Sequence, residues 1–509
     1  MKKFKAYLAL IFICTIVAVF VANYARADGN LQNLKHIIII TQGDHSFDNY
    51  LGALPYASGT AYHSGPCSSN DHRCVDGLTC TQNNHGLVCR NSNIAEDGTT
   101  VPAFHQTALC TADLDHGWTG SHLEGNYIFP NMMLSSSPND GFVRQNQDSA
   151  EGGAREDPAE SPAMGFYTAT DLPFYYGLAE TFALDDRYFS SLAGPAFPNR
   201  AYELAATSFG HVSNAEIFPP PGGYKPIGGT IFDLLDRNGV TWTNYFGNFA
   251  TSLIFRNAAN SHTASIAAFI ADAAAGRLPA VSFVDPVFTF NKSGTDEHPP
   301  SDIRAGEFYV ANLVRAVRNG PNWRSSAIFI TYDQHGGYYD HVAPPRADQN
   351  GLNSPDGIDP GLCEDLSDPP MSMMPGGGAN CLGMPLTHHS FEEATALCPM
   401  LVQPNEAYPS FCADFNQLGF RVPLIVVSPF AKPHYVSHTV GDHASLLAII
   451  EQRFLTRRGQ RPHLTARDEY ANTLSDIFDF SRSPSLNATI PPTPASSPSD
   501  PGCSKSGAA

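Results

Sequence analysis

The sequence predicts an α/β fold, a three-layer sandwich around a mostly parallel central sheet. Three observations predict it. Short apolar runs of strand length recur along the chain: His36-Ile37-Ile38-Ile39-Ile40, Ala280-Val281-Ser282-Phe283-Val284, Ala327-Ile328-Phe329-Ile330-Thr331 and Arg421-Val422-Pro423-Leu424-Ile425-Val426-Val427. A continuous apolar run is the pattern of a strand buried on both faces. Segments of helical pattern lie between these runs, as alternating α/β architecture requires. Two of the runs also deliver polar clusters, Gln42-Gly43-Asp44-His45-Ser46-Phe47-Asp48 and Asp333-Gln334-His335-Gly336-Gly337 through Asp340-His341. In open α/β sheets ligands bind outside the carboxyl ends of the strands.

Taken in order, residues 1–27 read as an export signal. Lys2, Lys3 and Lys5 precede the apolar run Ala6 to Val21, and Ala25-Arg26-Ala27 is a small-x-small cleavage site. The run is short for a bilayer span and no later segment is apolar enough to be one. The expected location is therefore secreted or periplasmic, with no integral membrane span after signal removal. Residues 28–482 form one folded domain, and 28–60 hold its first strand. Residues 61–112, rich in Cys, Asn, Gly and Ser, read as a disulfide-bearing loop insertion. Asp171 opens an amphipathic helix from about Leu172 to Leu184, followed by a strand at Arg187-Tyr188-Phe189. The segment 229–245 reads as helix then strand, and Glu307 to Arg318 as helix. A long Pro/Gly/Asp-rich loop over 343–380 carries Cys363 and Cys381. Asp442 caps a helix from His443 to about Phe454. The Ser/Pro-rich tail 483–509 is expected to be disordered.

Forty-two per cent hydrophobic residues, 42 glycines and 40 prolines describe a loop-rich globular protein. The formal charge of −19 becomes more negative when the signal leaves, because it carries four basic residues and no acidic one. Such a surface argues against nucleic acid as a partner and against adsorption to anionic lipid. Cys14 leaves with the signal, and the even number of remaining cysteines in an exported protein reads as disulfides whose pairing spacing cannot give. Zinc held by Cys74 and Cys80 is the alternative. The lack of paired C-x-x-C motifs counts against it.

Five blocks stand in order: Gln42 to Gly52, Asp115-His116-Gly117-Trp118, Gly194 to Arg200, Asp296-Glu297-His298-Pro299-Pro300, and Asp333 to His341. A sixth, Gly441-Asp442-His443-Ala444-Ser445, follows. Together they resemble the bacterial phosphoesterase family that contains the non-haemolytic phospholipases C and secreted acid phosphatases, across nearly the whole mature chain. The resemblance implies an alkaline-phosphatase-like fold. It also implies a divalent metal ion and hydrolysis of phosphate ester bonds in a phospholipid or a small phosphomono- or diester. An alcohol attacks phosphorus poorly unless a cation lowers its pKa and neutralises the phosphate oxygens. Carried over residue by residue, the resemblance makes Asp44, Asp333 and Gln334 metal ligands, and His298, His116 and His443 acid/base groups. Asn199 and Arg200 would grip the phosphate.

The chain departs from that family's pattern at several slots. Gly43 stands where the family has Glu, Asp44 where it has Asn, and Gln334 where it has an acid. Ala444 stands in for Thr, and Ala196 for the Ser/Thr nucleophile. A methyl group cannot form a phosphoryl-enzyme, and loss of a covalent nucleophile costs several orders of magnitude in rate. Two readings stay open. In one, metal-bound water attacks phosphorus in the space Ala196 leaves. In the other, a catalytically silent relative binds phosphorylated or lipid ligands in the retained cleft. A substitute hydroxyl from Ser191 or Ser46 is disfavoured because neither shares the position of Ala196. Bland roles compete for several residues: Asp48 and Tyr50 hold the first loop, His45 hydrogen-bonds within it, and Arg200 fixes its own helix by a salt bridge.

Overall fold

In a computed structural model, the chain is described over residues 31–84, 86–125, 139–147, 161–211, 214, 223–224, 226, 228–255, 262–289, 294–347, 355–357 and 415–494. The export signal, most of the 343–380 loop with its two cysteines, and the tail beyond 494 lie outside the described residues.

Eight strands make the main sheet: β1 (His36–Gln42), β2 (Ala183–Asp185), β3 (Trp242–Phe246), β4 (Thr263–Ser265), β5 (Val281–Asp285), β6 (Ser326–Tyr332), β7 (Leu424–Val427) and β8 (Tyr435–Ser437). They lie in the order β4-β3-β5-β1-β6-β7-β2-β8. β1 runs in the middle, parallel to β5 (Ile37 opposite Val281) and to β6 (His36 opposite Ser326). Every pairing in this sheet is parallel except those of β7, which opposes both β6 and β2. Four consecutive isoleucines in β1 are buried because both faces of this strand are covered.

The helices include α1 (Phe47–Tyr50), α2 (Trp118–Glu124), α3 (Pro173–Thr181), α4 (Ala196–Ala205), α5 (Ile231–Arg237), α6 (Ile266–Ala275), α7 (Ile303–Asn319) and α8 (His443–Ile450). They cover both sides of the sheet, giving the three-layer α/β sandwich that the alternation predicts. α7 packs against α3 and α6, while α4 packs against α5 and α8. α7 buries Ile303, Val310, Val314 and Val317 with Glu307 among them, a spacing of three and four that turns one face inward. Asp302 caps it, accepting from the backbone N–H of Arg304. Thr230 and Asp233 form a reciprocal capping box on α5.

The insertion packs a smaller core of its own. Leu78, Val101, Phe142, Phe166, Tyr338 and Phe420 belong to it. Disulfides Cys67–Cys74 and Cys80–Cys89 staple that lobe, so neither Cys74 nor Cys80 is a thiolate ligand.

Four expected boundaries differ. The helix after Asp171 starts at Pro173 and ends at Thr181, and Leu184 belongs to β2. Asp171 instead accepts from the Thr168 N–H and faces His105. Arg187–Phe189 is not a strand; Tyr188 and Phe189 make single bridges to Gly441 and Arg421. The helix after Asp442 is regular only to Ile450, then widens into a π turn over Glu451–Leu455. The start of the tail is anchored: the Trp323 indole donates to the Leu486 carbonyl at 3.1 Å, and Ser485 N–H donates to Pro429. Arg315 and Arg318 of α7 also donate to the carbonyls of Pro491 and Ala488, which holds in place what its composition gave as free chain.

Candidate functional site

β1, β5 and β6 end side by side, and their carboxyl ends carry Asp44, Asp285 and Asp333. Just beyond β1, Asp44 has φ +67°, a left-handed turn that Asp tolerates better than most residues. This turn places its backbone N–H 3.4 Å from Asp333 Oδ1. The two carboxylates that the sequence placed in one site are thus neighbours, and both are buried.

Arg200, in α4, reaches the carboxylates of Asp333 and Asp285. Its Nε donates to Asp333 Oδ2 at 2.8 Å, Nη1 to Asp285 Oδ1 at 3.3 Å, and Nη2 to the carbonyls of Thr41 and Gln42. The guanidinium carbon also lies 4.8 Å from the centre of the Phe288 ring. Burial pushes the Asp333 carboxyl upward, and Arg200 only partly offsets that. Asp285 behaves the same way, with Asn244 and Thr251 also donating to it.

His298 comes from the loop after Glu297, a residue that is itself at φ +68° and fixed by three tyrosine hydroxyls, Tyr50, Tyr175 and Tyr332, and by Gln42. Burial raises the Glu297 carboxyl to about 7 in spite of these four donors. His298 Nε2 stands 2.7 Å from Asp44 Oδ2. Burial works against a charged imidazole there, but the Asp44 charge outweighs it and lifts His298 well above its ordinary value. The same attraction, aided by His116, overcomes burial and holds Asp44 below the usual carboxylate range. His116 lies just before α2, edge-on to the His298 ring at 5.5 Å, with Asp113 Oδ1 3.5 Å from its Nδ1.

A cavity of about 350 Å³ opens on this group. Gly43, Ala196, Arg200, Asp296, His298 and Asp333 line it, and Phe197, Phe249, Ile254 and Phe288 add apolar wall. The methyl of Ala196 therefore faces the same space as Asp333 and His298.

The remaining candidates have other partners. Gln334 donates its amide to Asp44 Oδ1 and accepts from Gly336 N–H at 2.6 Å, so both ends of its head group are engaged. Asn199 donates to the carbonyls of Leu192, Gly194 and Pro195 and accepts from Leu192 N–H, clamping the loop that presents Ala196. His443 is fully buried between the Tyr188 hydroxyl and the Asp333 carbonyl, and burial lowers it to about 4. It is neutral and holds the backbone of Asp333. Ser46 and Ser191 donate to Tyr339 O and Asp442, away from Ala196. His45 bonds to Asn49 and Glu297, inside its own loop.

Sequence reasoning passed over two residues at this site. Asp285 was visible as an acid ending a buried strand, the same signal that singles out Asp333. Asp113 stands three residues before His116, a spacing with no motif to mark it.

Asp44, Asp113, His116 and His298 each offer one ligand atom, all within 4.8 Å of one another. Two imidazoles and two carboxylates suit a divalent cation of the zinc type. At the strand ends, by contrast, Arg200 and the Gln334 amide already stand against Asp333 and Asp44.

A family profile described as "Phosphoesterase family" matches residues 34–456. Among curated relatives, Phospholipase C A of Mycobacterium tuberculosis is 28% identical over 91% of this chain and 80% of its own length. Non-specific phospholipase C6 of Arabidopsis thaliana is 30% identical over 89% of this chain and 73% of its own length. Non-specific phospholipase C1 of the same plant is 27% identical over 89% and 72%.

Proposed function

The chain belongs to the phosphoesterase family, and on that footing we propose that it is an exported hydrolase of phosphate esters whose attacking group is water rather than a side chain. The observation that carries this reading is the shared wall of the cavity: Ala196, Asp333, Arg200 and His298 face one space. Where the family places an alcohol, a methyl group leaves room for a water molecule beside a buried carboxylate.

In this reading His298 is the general acid. Its lifted pKa keeps it protonated at neutral pH, ready to give Nε2–H to the departing oxygen. Asp333, pushed upward by burial, accepts the proton of the attacking water. Arg200 fixes the aim of Asp333, and His443 fixes its backbone. The cavity is lined by two carboxylates, Asp296 and Asp333, and two cationic groups, Arg200 and His298, so it offers a phosphate no net positive charge. A divalent ion, when bound, neutralises the phosphate oxygens and so favours attack. The apolar wall of Phe197, Phe249, Ile254 and Phe288 suits an ester whose alcohol part is apolar, in keeping with relatives named as phospholipases C.

A second reading has one observation behind it. The guanidinium of Arg200 is already engaged by two carboxylates and two carbonyls, which leaves it little to offer a phosphate. A silent relative would then bind a phosphorylated or lipid ligand without cleaving it.

A panel of an aryl phosphate, a choline phosphodiester and phosphatidylcholine vesicles, each assayed with and without added zinc or magnesium, separates the two. Turnover by the wild-type chain, lost in Asp333→Asn and in His298→Gln and reduced in Ala196→Thr, supports water as nucleophile. Saturable binding with no turnover on any of the three, or activity that appears only in Ala196→Thr, establishes the silent reading.

A further inference from the structure

We propose that Glu297 is a positioning residue of this site: its carboxylate pins the loop that carries His298, and so aims the imidazole at the departing oxygen. The proposal rests on the hydrolase reading for the purpose of His298, and on this chain's own contacts for the pin.

Four donors from four separate elements converge on one carboxylate. Tyr175 of α3 donates to Oε1 at 2.5 Å, and Gln42 at the end of β1 donates to the same oxygen at 3.2 Å. Tyr50 of α1 and Tyr332 at the end of β6 each donate to Oε2 at 2.7 Å. The phenol rings crowd around it, with Tyr50 centred 5.2 Å from Tyr332 and 6.1 Å from Tyr175. Glu297 is completely buried. A carboxylate in such a place is costly unless donors surround it. Once they do, a satisfied buried network fixes a single arrangement.

The backbone is held as firmly. Glu297 has φ +68°, in the left-handed region that a residue of this kind rarely adopts. Such a conformation persists only where the surroundings over-determine it, and residues of this sort gather at functional sites. Here the Glu297 carbonyl faces His45 Nε2 at 3.0 Å. The carbonyl before it, on Asp296, accepts from the Gly43 N–H at 2.7 Å.

His298 is the next residue, about 3.8 Å along the chain. What fixes Glu297 therefore sets where the imidazole starts. The ring's own contacts are with Asp44, 2.7 Å from Nε2, and with the Pro299 carbonyl of the same loop, 2.6 Å from Nδ1. Glu297 lies outside the cavity wall that His298 lines, so it acts through its neighbour.

The test compares two esters under conditions in which the wild-type chain is assayed. Nitrophenyl phosphate releases a stable phenolate that needs no proton, whereas butyl phosphate releases an alkoxide that does. General acid help is worth about 100–10,000-fold, and a misplacement of about 1 Å can cost about 100-fold. Glu297→Ala is expected to lower kcat on butyl phosphate by about 100-fold and to cut the nitrophenyl rate about 10-fold less, with KM little moved. Glu297→Gln keeps one acceptor oxygen and gains an NH₂ that tyrosine oxygens can accept, so it should recover most of the butyl rate. Tyr332→Phe removes a single donor and covers the case in which Glu297→Ala fails to fold; it should show the same selective loss, smaller in size. Hydrogen exchange without substrate gives the second readout. In Glu297→Ala the amides of Thr295 and Ser301, bonded to the Val287 and His298 carbonyls, should exchange faster while β1 and β6 do not change.

Equal losses on both esters in Glu297→Ala and Tyr332→Phe overturn the proposal, because a residue that only holds the fold harms both alike. Wild-type rates in Glu297→Ala overturn it too. Neither ester turned over by wild type, with loop exchange raised in Glu297→Ala, supports the pin and sinks the hydrolase reading. No turnover and no change in exchange sinks both.

Discussion

Arg421 is fully buried, and its guanidinium joins parts of the chain that are hundreds of residues apart. It donates to Asp340 Oδ1 at 2.8 Å and to Asp48 Oδ1 at 3.1 Å, and to the carbonyls of Asp76 and Asp186. His341 adds a second cation, 2.7 Å from Asp48 and 3.2 Å from Asp76. Removing one partner of a buried ion pair leaves an uncompensated charge and costs roughly 3–5 kcal/mol. Arg421→Met is expected to lower stability by that order, read as a fall in the urea midpoint. His341 also sets a pH dependence. Burial lowers its pKa, but Asp48 and Asp76 overcome this and raise it to about 10. Its folded value thus exceeds the ordinary 6.5. The stabilisation is complete below about 6.5 and is lost as pH climbs toward 10. Urea midpoints at pH 6, 8 and 10 should converge between wild type and His341→Gln as pH rises; a constant gap would remove the role given to the imidazolium.

At the scale of elements, α7 shows how a functional loop and a helix fix each other. Gly306 lies where a methyl group would collide with the Glu297 side chain, at 2.0 Å from its Cγ. Alanine is the better helix former by about 1 kcal/mol. Even so, Gly306→Ala is expected to destabilise, because overpacking a tight core costs about 1–3 kcal/mol. It should also reduce ester turnover by displacing the loop that carries His298; an unchanged rate and a raised midpoint would contradict this. The central strands β1, β5, β6 and β7 were legible because buried strands are apolar without interruption, as in the isoleucines of β1, whereas the three-residue strands β2, β4 and β8 are too short to show a pattern. The helix end before Leu184 was not legible, since a leucine on a helix face and one in a short edge-side strand have the same hydropathy. Asp44 and Asp333 could be placed together because strand ends share a rim. That Asn199 would grip its own loop and Gln334 its neighbouring turn depends on side-chain aim, which spacing does not encode.

Among the described residues there are two cores, the large one around the sheet and the smaller one in the stapled insertion. The insertion's disulfides close short loops, with sequence separations of 7 and 9. Loop entropy gives each about 2–3 kcal/mol of stabilisation. Reduction should therefore loosen the insertion first. Hydrogen exchange after reduction is expected to rise in residues 61–112 while β1, β5 and β6 stay protected. Uniform loss of protection would mean that the two cores unfold as one.

Among the described strands of the main sheet β7 alone is reversed, and this has a consequence for how the protein is made. Because it runs against β1 and β6, it begins at the rim where they finish, which lets Arg421 meet Asp48 and Asp340. A nascent chain emerging from the ribosome holds both acids long before their cation is synthesised. Until then that corner must stay hydrated and open, so the polar rim is among the last parts of the molecule to close. A chain halted before Arg421 would carry every sheet strand from β1 to β6 and still lack the charge that seals the edge.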